Sequence, residues 1–337
     1  MIKQRMNIAT SCNDMYANYV FITLASINST LARTHDVHFY LMQSAISDEK
    51  IASLEKFCDG LDLHFHNVFV DDDEFLAELT FYSRAKDRER YYDGICHLFL
   101  PDDIDRIMYI DAGDILFLSE DYPFYFEDFK NKSLLVSTYW NLHKDKWDFQ
   151  QFDSLWGGFN SGHILIDVQR LRDLKLTPQS YVDYVHEWAR QAPEKEHLFG
   201  GDQAFLTAFF AGDIATIEKE NPYNLKVSAL NGIAPDFEPK SIHFNAMFAG
   251  LKPWDVPFRT PKDLLMYKLK LVDKKKKKKG FFKKEETYKY SFAGYENECI
   301  LKWWEVCKTT PVYDELKSAS LSSTKFVYAL CKHIRDN

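Results

Sequence analysis

Apolar positions along the first seventy residues switch between two patterns, short continuous runs and a helical spacing. Asn7 to Ser11 is a short apolar run and predicts a strand. Asn13-Asp14 then offers a helix cap, and Ala17, Val20, Phe21, Leu24, Ala25 and Leu31 recur at helical period behind it. Val37 to Met42 predicts a second strand, Ser47 opens a helix carrying Ile51, Leu54 and Phe57, and Leu61 to Val70 predicts a third strand. Strand and helix in alternation predict a parallel sheet with helices on both faces. Such sheets bind ligands outside the carboxyl ends of their strands.

The pattern continues less regularly. Tyr91, Tyr92, Ile95, Leu98 and Phe99 suggest a helix that stops at Leu100-Pro101, since the residue before proline is pushed out of helical geometry. Ile107 to Asp111 and Ile115 to Leu118 read as two buried strands in quick succession, and Ser133 to Tyr139 as another. Residues 140–153 form a Trp-, Lys- and Asp-rich loop long enough to cover a site. Between Trp156 and Asp167, two glycines and Asn160-Ser161-Gly162 break open a strand whose far half is apolar. Such a break is either a bulge or a place where backbone approaches a ligand closely. A helix follows around 180–191, another begins near Asp202, and Ser241 to Phe244 is a short strand. Helical patterns return at Asp263–Leu271, Glu298–Lys308 and Glu315–Ile334, with Trp303, Trp304 and Phe326 expected to pack against the body. The expected fold is α/β, one Rossmann-like nucleotide-binding domain over 1–258 with a mainly helical, basic appendage over 259–337.

Composition refines this picture in three places. With 46% hydrophobic and 16% aromatic residues in 337, the chain can bury a large core, while 13 Gly and 11 Pro are too few for a sandwich of many tight turns. The net charge of −8 is uneven, because Lys274–Lys284 holds eight lysines and no acid, with Phe281 and Phe282 embedded. That strip reads as a solvated loop or as a surface for anionic lipid, and nothing suggests nucleic acid as a partner. The six cysteines are scattered, no amino-terminal apolar stretch resembles a leader, and no run of eighteen apolar residues exists. Reduced thiols and a cytoplasmic location, with optional attachment to the inner membrane face, are therefore expected.

The chemistry concentrates at element ends. Asp111 and Asp114 lie at the end of a buried strand with Ala112-Gly113 between them. Two such carboxylates repel and lose hydration unless a cation lies between them, and a hard divalent ion suits their oxygens. A polar turn is the simpler alternative. His243 ends a short strand, Lys252-Pro253-Trp254 holds a cation in a rigid turn, and Asp202 opens a helix. No Gly-x-Gly-x-x-Gly follows the first strand, so a dinucleotide fingerprint is absent.

Taken in order, these segments resemble glycosyltransferase family 8, a retaining, nucleotide-sugar-dependent family with the GT-A fold that includes glycogenin and bacterial lipooligosaccharide galactosyltransferases. The resemblance spans about Asn7 to Trp254. Ile8–Tyr16 resembles the uridine-binding start, Tyr109-Ile-Asp-Ala-Gly-Asp114 the metal motif, and Phe159–Ile166 the segment that contacts the sugar. Asp202-Gln203 resembles the pair at the reacting centre, and His243-Phe244 with Lys252-Pro-Trp254 the closing motif. The resemblance implies Asp111, Asp114 and His243 as ligands of Mn2+ or Mg2+. It implies Thr10, Ser11, Asn13, Asp14, Tyr16, Asn160, Ser161, Gly162, Gly250 and Lys252 around a UDP-sugar, and Asp202 and Gln203 as catalytic. The acceptor it implies is a glycan or glycolipid of the lipopolysaccharide kind.

Four departures are visible. The metal motif has one extra residue, the His243–Lys252 spacing is three longer than usual, and Ala204 follows Gln203 where an Asp is frequent. Asp93 stands where the family usually has Arg or Lys, leaving Arg88 or Arg90 to supply that cation. Two further readings are compatible with the residues: a metal-dependent phosphohydrolase, for which Ala112-Gly113 offers no nearby nucleophile or acid, and a carbohydrate-binding protein without turnover.

Overall fold

The structure, a computed structural model, describes residues 3–71, 73–138, 159–217, 222–227, 234–245, 251–256 and 295–325. The chain opens with β1 (Gln4–Ser11), α1 (Ala17–Ser29), β2 (His35–Gln43), α2 (Asp48–Cys58), β3 (His64–Phe69) and α3 (Asp73–Phe81). A short α4 (Tyr92–Ile95), flanked by 3-10 turns, precedes β4 (Arg106–Ile110), β5 (Ile115–Phe117) and β6 (Leu134–Thr138). Then come β7 (Phe159–Asp167), α5 (Val168–Asp173), α6 (Pro178–Gln191), α7 (Asp202–Phe209), β8 (Ile214–Ile217), β9 (Leu225–Lys226) and β10 (Ser241–His243). Two helices near the carboxyl end, α8 (Tyr295–Cys307) and α9 (Tyr313–Leu321), complete the described elements.

Seven strands form the main sheet in the order β3-β2-β1-β4-β7-β6-β8. The first four are parallel, as the alternating pattern requires. The sheet is not parallel throughout, because β7 enters antiparallel between β4 and β6. Its Asn160-Ser161-Gly162 does not break the strand open but lies within it. There the register against β6 shifts between Val136 and Thr138, a bulge rather than an end. A smaller sheet, β5-β10-β9, sits beside the main one.

Each face of the main sheet has its own core. One gathers α1, α2, the small sheet and α8; the other gathers α3, α4, α6 and α7. Helix α1 is buried from Val20 to Ile27 because it packs between the sheet, β5 and α8. Trp303 and Trp304 of α8 are fully buried in that core, as expected from the sequence. Helix α8 thus packs its tryptophans into the core of the α/β body. Aromatic side chains of this size bury 150–250 Å2 each and dominate packing energetics.

Two cap assignments are corrected. Helix α1 starts at Ala17 behind Tyr16, and neither Asn13 nor Asp14 caps it. Instead the Asp14 carboxylate accepts hydrogen bonds from Ser47 N and Oγ (3.0 and 2.9 Å) and pairs with Lys50 at 2.7 Å. Ser47 precedes α2 as expected, but its hydroxyl serves Asp14 rather than the helix end. Five cysteines are free and buried. The loop 140–153, the Asp263–Leu271 helix, the lysine strip, Gly250, Phe326 and Cys331 lie outside the described residues. Among the described residues no helix is long and apolar enough to cross a membrane.

Candidate active site

The loop between Asp111 and Asp114 leaves the carboxyl end of β4 and is braced on both sides. Gly113 has a φ of 73°, and a Cβ there would lie 2.2 Å from Tyr19 Cβ, so only glycine fits. Its N–H donates to Thr23 Oγ1 (3.0 Å) on α1, and its carbonyl accepts from Trp303 Nε1 (2.9 Å) on α8. The extra residue in the motif is therefore absorbed by a left-handed turn that two helices hold. Antiparallel pairing of β10 with β5 sets His243 opposite Ile115 and brings the imidazole beside both carboxylates.

Asp111, Asp114 and His243 offer one ligand atom each within 4.8 Å of one another. His243 is fully buried, and its Nδ1 is hydrogen-bonded to Asn224 Oδ1 at 3.0 Å. With Nδ1 donating in that bond, Nε2 lies 3.4 Å from Asp111 Oδ2, a gap that a proton or a divalent ion can bridge. Both His243 Nε2 and Asp114 Oδ1 are buried without a hydrogen-bond partner among the described residues. Two oxygens and a neutral imidazole with vacant lone pairs fit a divalent ion of the Mn2+ or Mg2+ kind.

Charges around this trio are unevenly balanced. Burial alone would raise the Asp111 carboxyl, but His243, Lys252 and Arg90 outweigh it and hold it below the usual carboxylate value. Asp114 is buried and pushed up to about 7, with Lys252 opposing the shift and Asp111 adding to it. Lys252 Nζ donates to Asp114 Oδ2 and, at 3.2 Å, to the Phe244 carbonyl, so this lysine is the resident counter-charge of Asp114. Its ammonium stays above its ordinary value despite burial because of that carboxylate.

Strand β7 supplies the opposite wall. Gly162 O accepts from Asp111 N (3.0 Å), and a Cβ at 162 would lie 2.1 Å from Asp111 Oδ2. The glycine is needed here for close approach, not for an unusual φ. Ser161 Oγ donates to Asp202 Oδ2, and Asn160 Nδ2 lies 3.4 Å from Gln203 Oε1. Asp202 is the first residue of α7, yet its side chain turns to Ser161. Burial pushes its carboxyl up to about 6, against the pull of Ser161 and with that of Asp111. The next residue of the motif, His163, is fully buried and bonded to the Tyr122 hydroxyl at 2.7 Å, a structural role.

The first loop is held by contacts of its own side chains. Thr10 is buried and donates to the Ile110 carbonyl (2.7 Å); Ser11 is bonded to the Glu89 carbonyl (2.6 Å) and to Tyr109. Asn13 Oδ1 accepts from Met15 N (3.1 Å), and the Lys50 ammonium, with Ser47, holds the Asp14 carboxyl down to about 2. These four side chains shape the loop from within. Tyr16 alone presents a partly exposed ring, edge-on to Tyr19 and Trp254.

Near Asp93, Arg90 Nε pairs with Asp87 Oδ2 at 3.1 Å. Burial opposes its charge, but Asp202, Asp87 and Asp111 keep the guanidinium above its ordinary value. Asp93 itself points inward: Oδ1 accepts from Gly94 N (2.7 Å) and Oδ2 has no hydrogen-bond partner among the described residues. Burial, reinforced by Asp202, raises its carboxyl well above the usual value. A group that binds its proton more tightly folded than unfolded loses stability as pH rises above the unfolded value of about 4. Asp93→Asn, which keeps the bond to Gly94, is therefore expected to stabilise the protein by about 1–3 kcal/mol at pH 8 and by much less at pH 4.5. Thermal melts of both proteins at the two pH values check this; equal melting at pH 8 refutes it.

A doubly wound sheet with strand-end carboxylates, a histidine and a lysine at one rim, faced by Asn-Ser-Gly and Asp-Gln, defines a nucleotide-sugar-binding fold of the GT-A type. The model for glycosyl transferase family 8 matches residues 7–256, and the chain belongs to that family. Glycosyltransferase GlyF of Streptococcus pneumoniae is 23% identical over 245 residues, covering 70% of this chain and 55% of its own. The xylosyl- and glucuronyltransferase LARGE1 of Danio rerio is 27% identical over 186 residues, which are 51% of this chain and 23% of that protein. The chain thus spans about half the length of the first of these relatives and about a quarter of the second. Among solved structures, the galactosyltransferase LgtC in complex with donor and acceptor sugar analogues superposes with a TM-score of 0.56 at 18% identity. That likeness covers 74% of this chain and 89% of LgtC, and it establishes the fold.

Proposed function

We propose that the protein is a retaining glycosyltransferase that moves a hexose from a UDP-sugar to a cell-surface glycan or glycolipid. The observation that carries this reading is the meeting, at one rim, of Asp111, Asp114 and His243 with Asn160, Ser161, Asp202 and Gln203. Asp111, Asp114 and His243 would hold Mn2+ or Mg2+, which when bound offsets the charge that gathers on a departing diphosphate. Lys252, paired with Asp114, and at longer range Arg90 would add positive charge near the carboxylates. Tyr16 offers its exposed ring to the base, while Asn160 and the Ser161–Asp202 pair orient sugar hydroxyls. Gln203 is neutral and a poor nucleophile, so a front-face, oxocarbenium-like transfer suits these side chains better than a covalent intermediate.

Incubation with Mn2+ and a panel of nucleotide sugars, following release of nucleoside diphosphate, tests the reading. A UDP-hexose is expected to be turned over, slowly with water and faster with a glycan acceptor. Binding without release would instead mark a carbohydrate-binding protein. With the preferred donor, Gln203→Ala is expected to lower kcat by 10–100-fold with less than threefold change in KM, because its amide acts at the reacting carbon. Equal losses in both would reduce it to a ground-state contact. The lysine strip at 274–284 supports, from sequence alone, reversible attachment to an anionic membrane where a lipid-linked acceptor is presented.

A further inference from the structure

Away from the rim, toward the amino ends of the parallel strands, four imidazole and carboxylate side chains share one face of the sheet. Asp36 and His38 are two apart on β2, and the parallel register sets His38 opposite His64 and Tyr40 opposite His66 on β3. His64 Nε2 lies 3.1 Å from Asp36 Oδ1, and His38 Nε2 lies 3.5 Å from Asp36 Oδ2. One donor atom from each of Asp36, His38 and His64 lies within 4.8 Å of the other two.

We propose that Asp36, His38 and His64 form a second metal site, for a borderline divalent ion of the zinc class. A tetrahedral site with metal–donor bonds of about 2.0–2.1 Å has donors about 3.3 Å apart, and each imidazole Nε2 lies near that distance from one of the two Asp36 oxygens. Two imidazoles and a carboxylate are a donor set that zinc-class ions favour over Mg2+, and solvent reaches the fourth position past His64, whose side chain is 59% exposed. His66 completes the arrangement. Its Nε2 lies 3.1 Å from His38 Nδ1 and would accept the Nδ1 proton once a metal ion takes the His38 Nε2 lone pair. Its ring also stacks on His38 and Tyr40, fixing both orientations.

The surrounding charges are compatible. The charge of Arg5 is felt by His38 and His66, and this side chain is already engaged by Asp103 at 2.6 Å and by the Tyr40 hydroxyl at 3.1 Å. Burial holds His38 and His66 below the ordinary histidine value, so their lone pairs are free at neutral pH. Among the described residues, strand β3 is the outermost strand of the sheet and pairs with β2 alone. A metal bridging His38 and His64 would pin that edge.

Because Asp111, Asp114 and His243 are also expected to bind divalent ions, the test uses the full chain carrying Asp111→Asn. After chelation and dialysis, Zn2+ is titrated against a competing chromophoric chelator, and Co2+ is followed by its visible absorption. One Zn2+ equivalent is expected, with the intense Co2+ bands of a tetrahedral site and a Zn2+-dependent rise in Tm. Adding His64→Ala, at an exposed position where folding is not in question, is expected to weaken that binding by at least 100-fold. His66→Phe, which keeps the stacking but not the acceptor, is expected to weaken it 10–100-fold. The proposal is overturned if Asp111→Asn alone binds no Zn2+, or if adding His64→Ala leaves the affinity and the Co2+ spectrum unchanged; the histidines are then a neutral stack.

Discussion

Asp111→Asn is expected to reduce Mn2+-dependent sugar transfer by about 1000-fold, which corresponds to ~4 kcal/mol of lost transition-state stabilisation. The substitution keeps the shape of the side chain and removes its charge at the point where His243 Nε2 and Asp114 Oδ1 stand without partners. The Asp111 side chain keeps about half its surface in solvent, so an amide of the same shape is accommodated without repacking. Its neighbour should even be relieved, since the Asp111 charge is one of the forces raising the Asp114 carboxyl. The expected signature is therefore lost metal-dependent donor binding with an unchanged or slightly higher Tm. Calorimetric titration of the donor, with and without Mn2+, reads the first part, and thermal melting the second. Donor binding by the unaltered protein that is equally tight in excess chelator would sink the metal assignment.

The second large effect is expected at Trp303, far from the motifs in sequence. Trp303→Ala removes a fully buried ring that contacts Trp254 and donates to the Gly113 carbonyl. Truncating a buried tryptophan costs about 3–5 kcal/mol. Trp303→Phe separates packing from the hydrogen bond. It restores most of the buried area but leaves the Gly113 carbonyl without its donor, at a cost of about 1–3 kcal/mol. The prediction is that Trp303→Phe recovers much of the Tm lost in Trp303→Ala, while its Mn2+ affinity remains at least tenfold weaker than that of the unaltered protein. Recovery of both quantities together would show that the indole matters only as volume.

What the sequence made legible follows from the range of the interactions involved. The alternation of β1, α1, β2, α2 and β3 is written in local apolar spacing, and the four parallel strands follow from it. The antiparallel entry of β7 is not, because its register is decided by pairing with β4, some fifty residues away in the chain. Asn13 and Asp14 carry an ordinary cap signal, but a carboxylate within reach of Lys50 and the Ser47 amide gains more there. At the site, the carboxylates, His243, Asn160 and Asp202 were recognisable because each stands at the end or opening of an apolar segment. Whether Arg88 or Arg90 would supply the cation missing at Asp93 depends on the turn-by-turn phase of the 3-10 and α segments from Arg88 to Ile95, which spacing alone does not resolve. The role of Asn224 in fixing the His243 proton left no pattern to read.

The brace between Trp303 and Gly113 joins residues 190 apart, and that separation has a meaning in time. At 5–20 residues per second, a ribosome finishes helix α8 about 10–40 s after it has made the loop between the two aspartates. Over that interval α1, buried along most of its length in the finished protein, lacks the helix that covers one side of it. Nascent chains at this stage would expose apolar surface of the kind that chaperones bind, and they carry the whole family region without the indole that holds the Asp111–Asp114 loop. Competence therefore arrives late in synthesis, and chains stalled before Tyr295 would accumulate as inactive, aggregation-prone species.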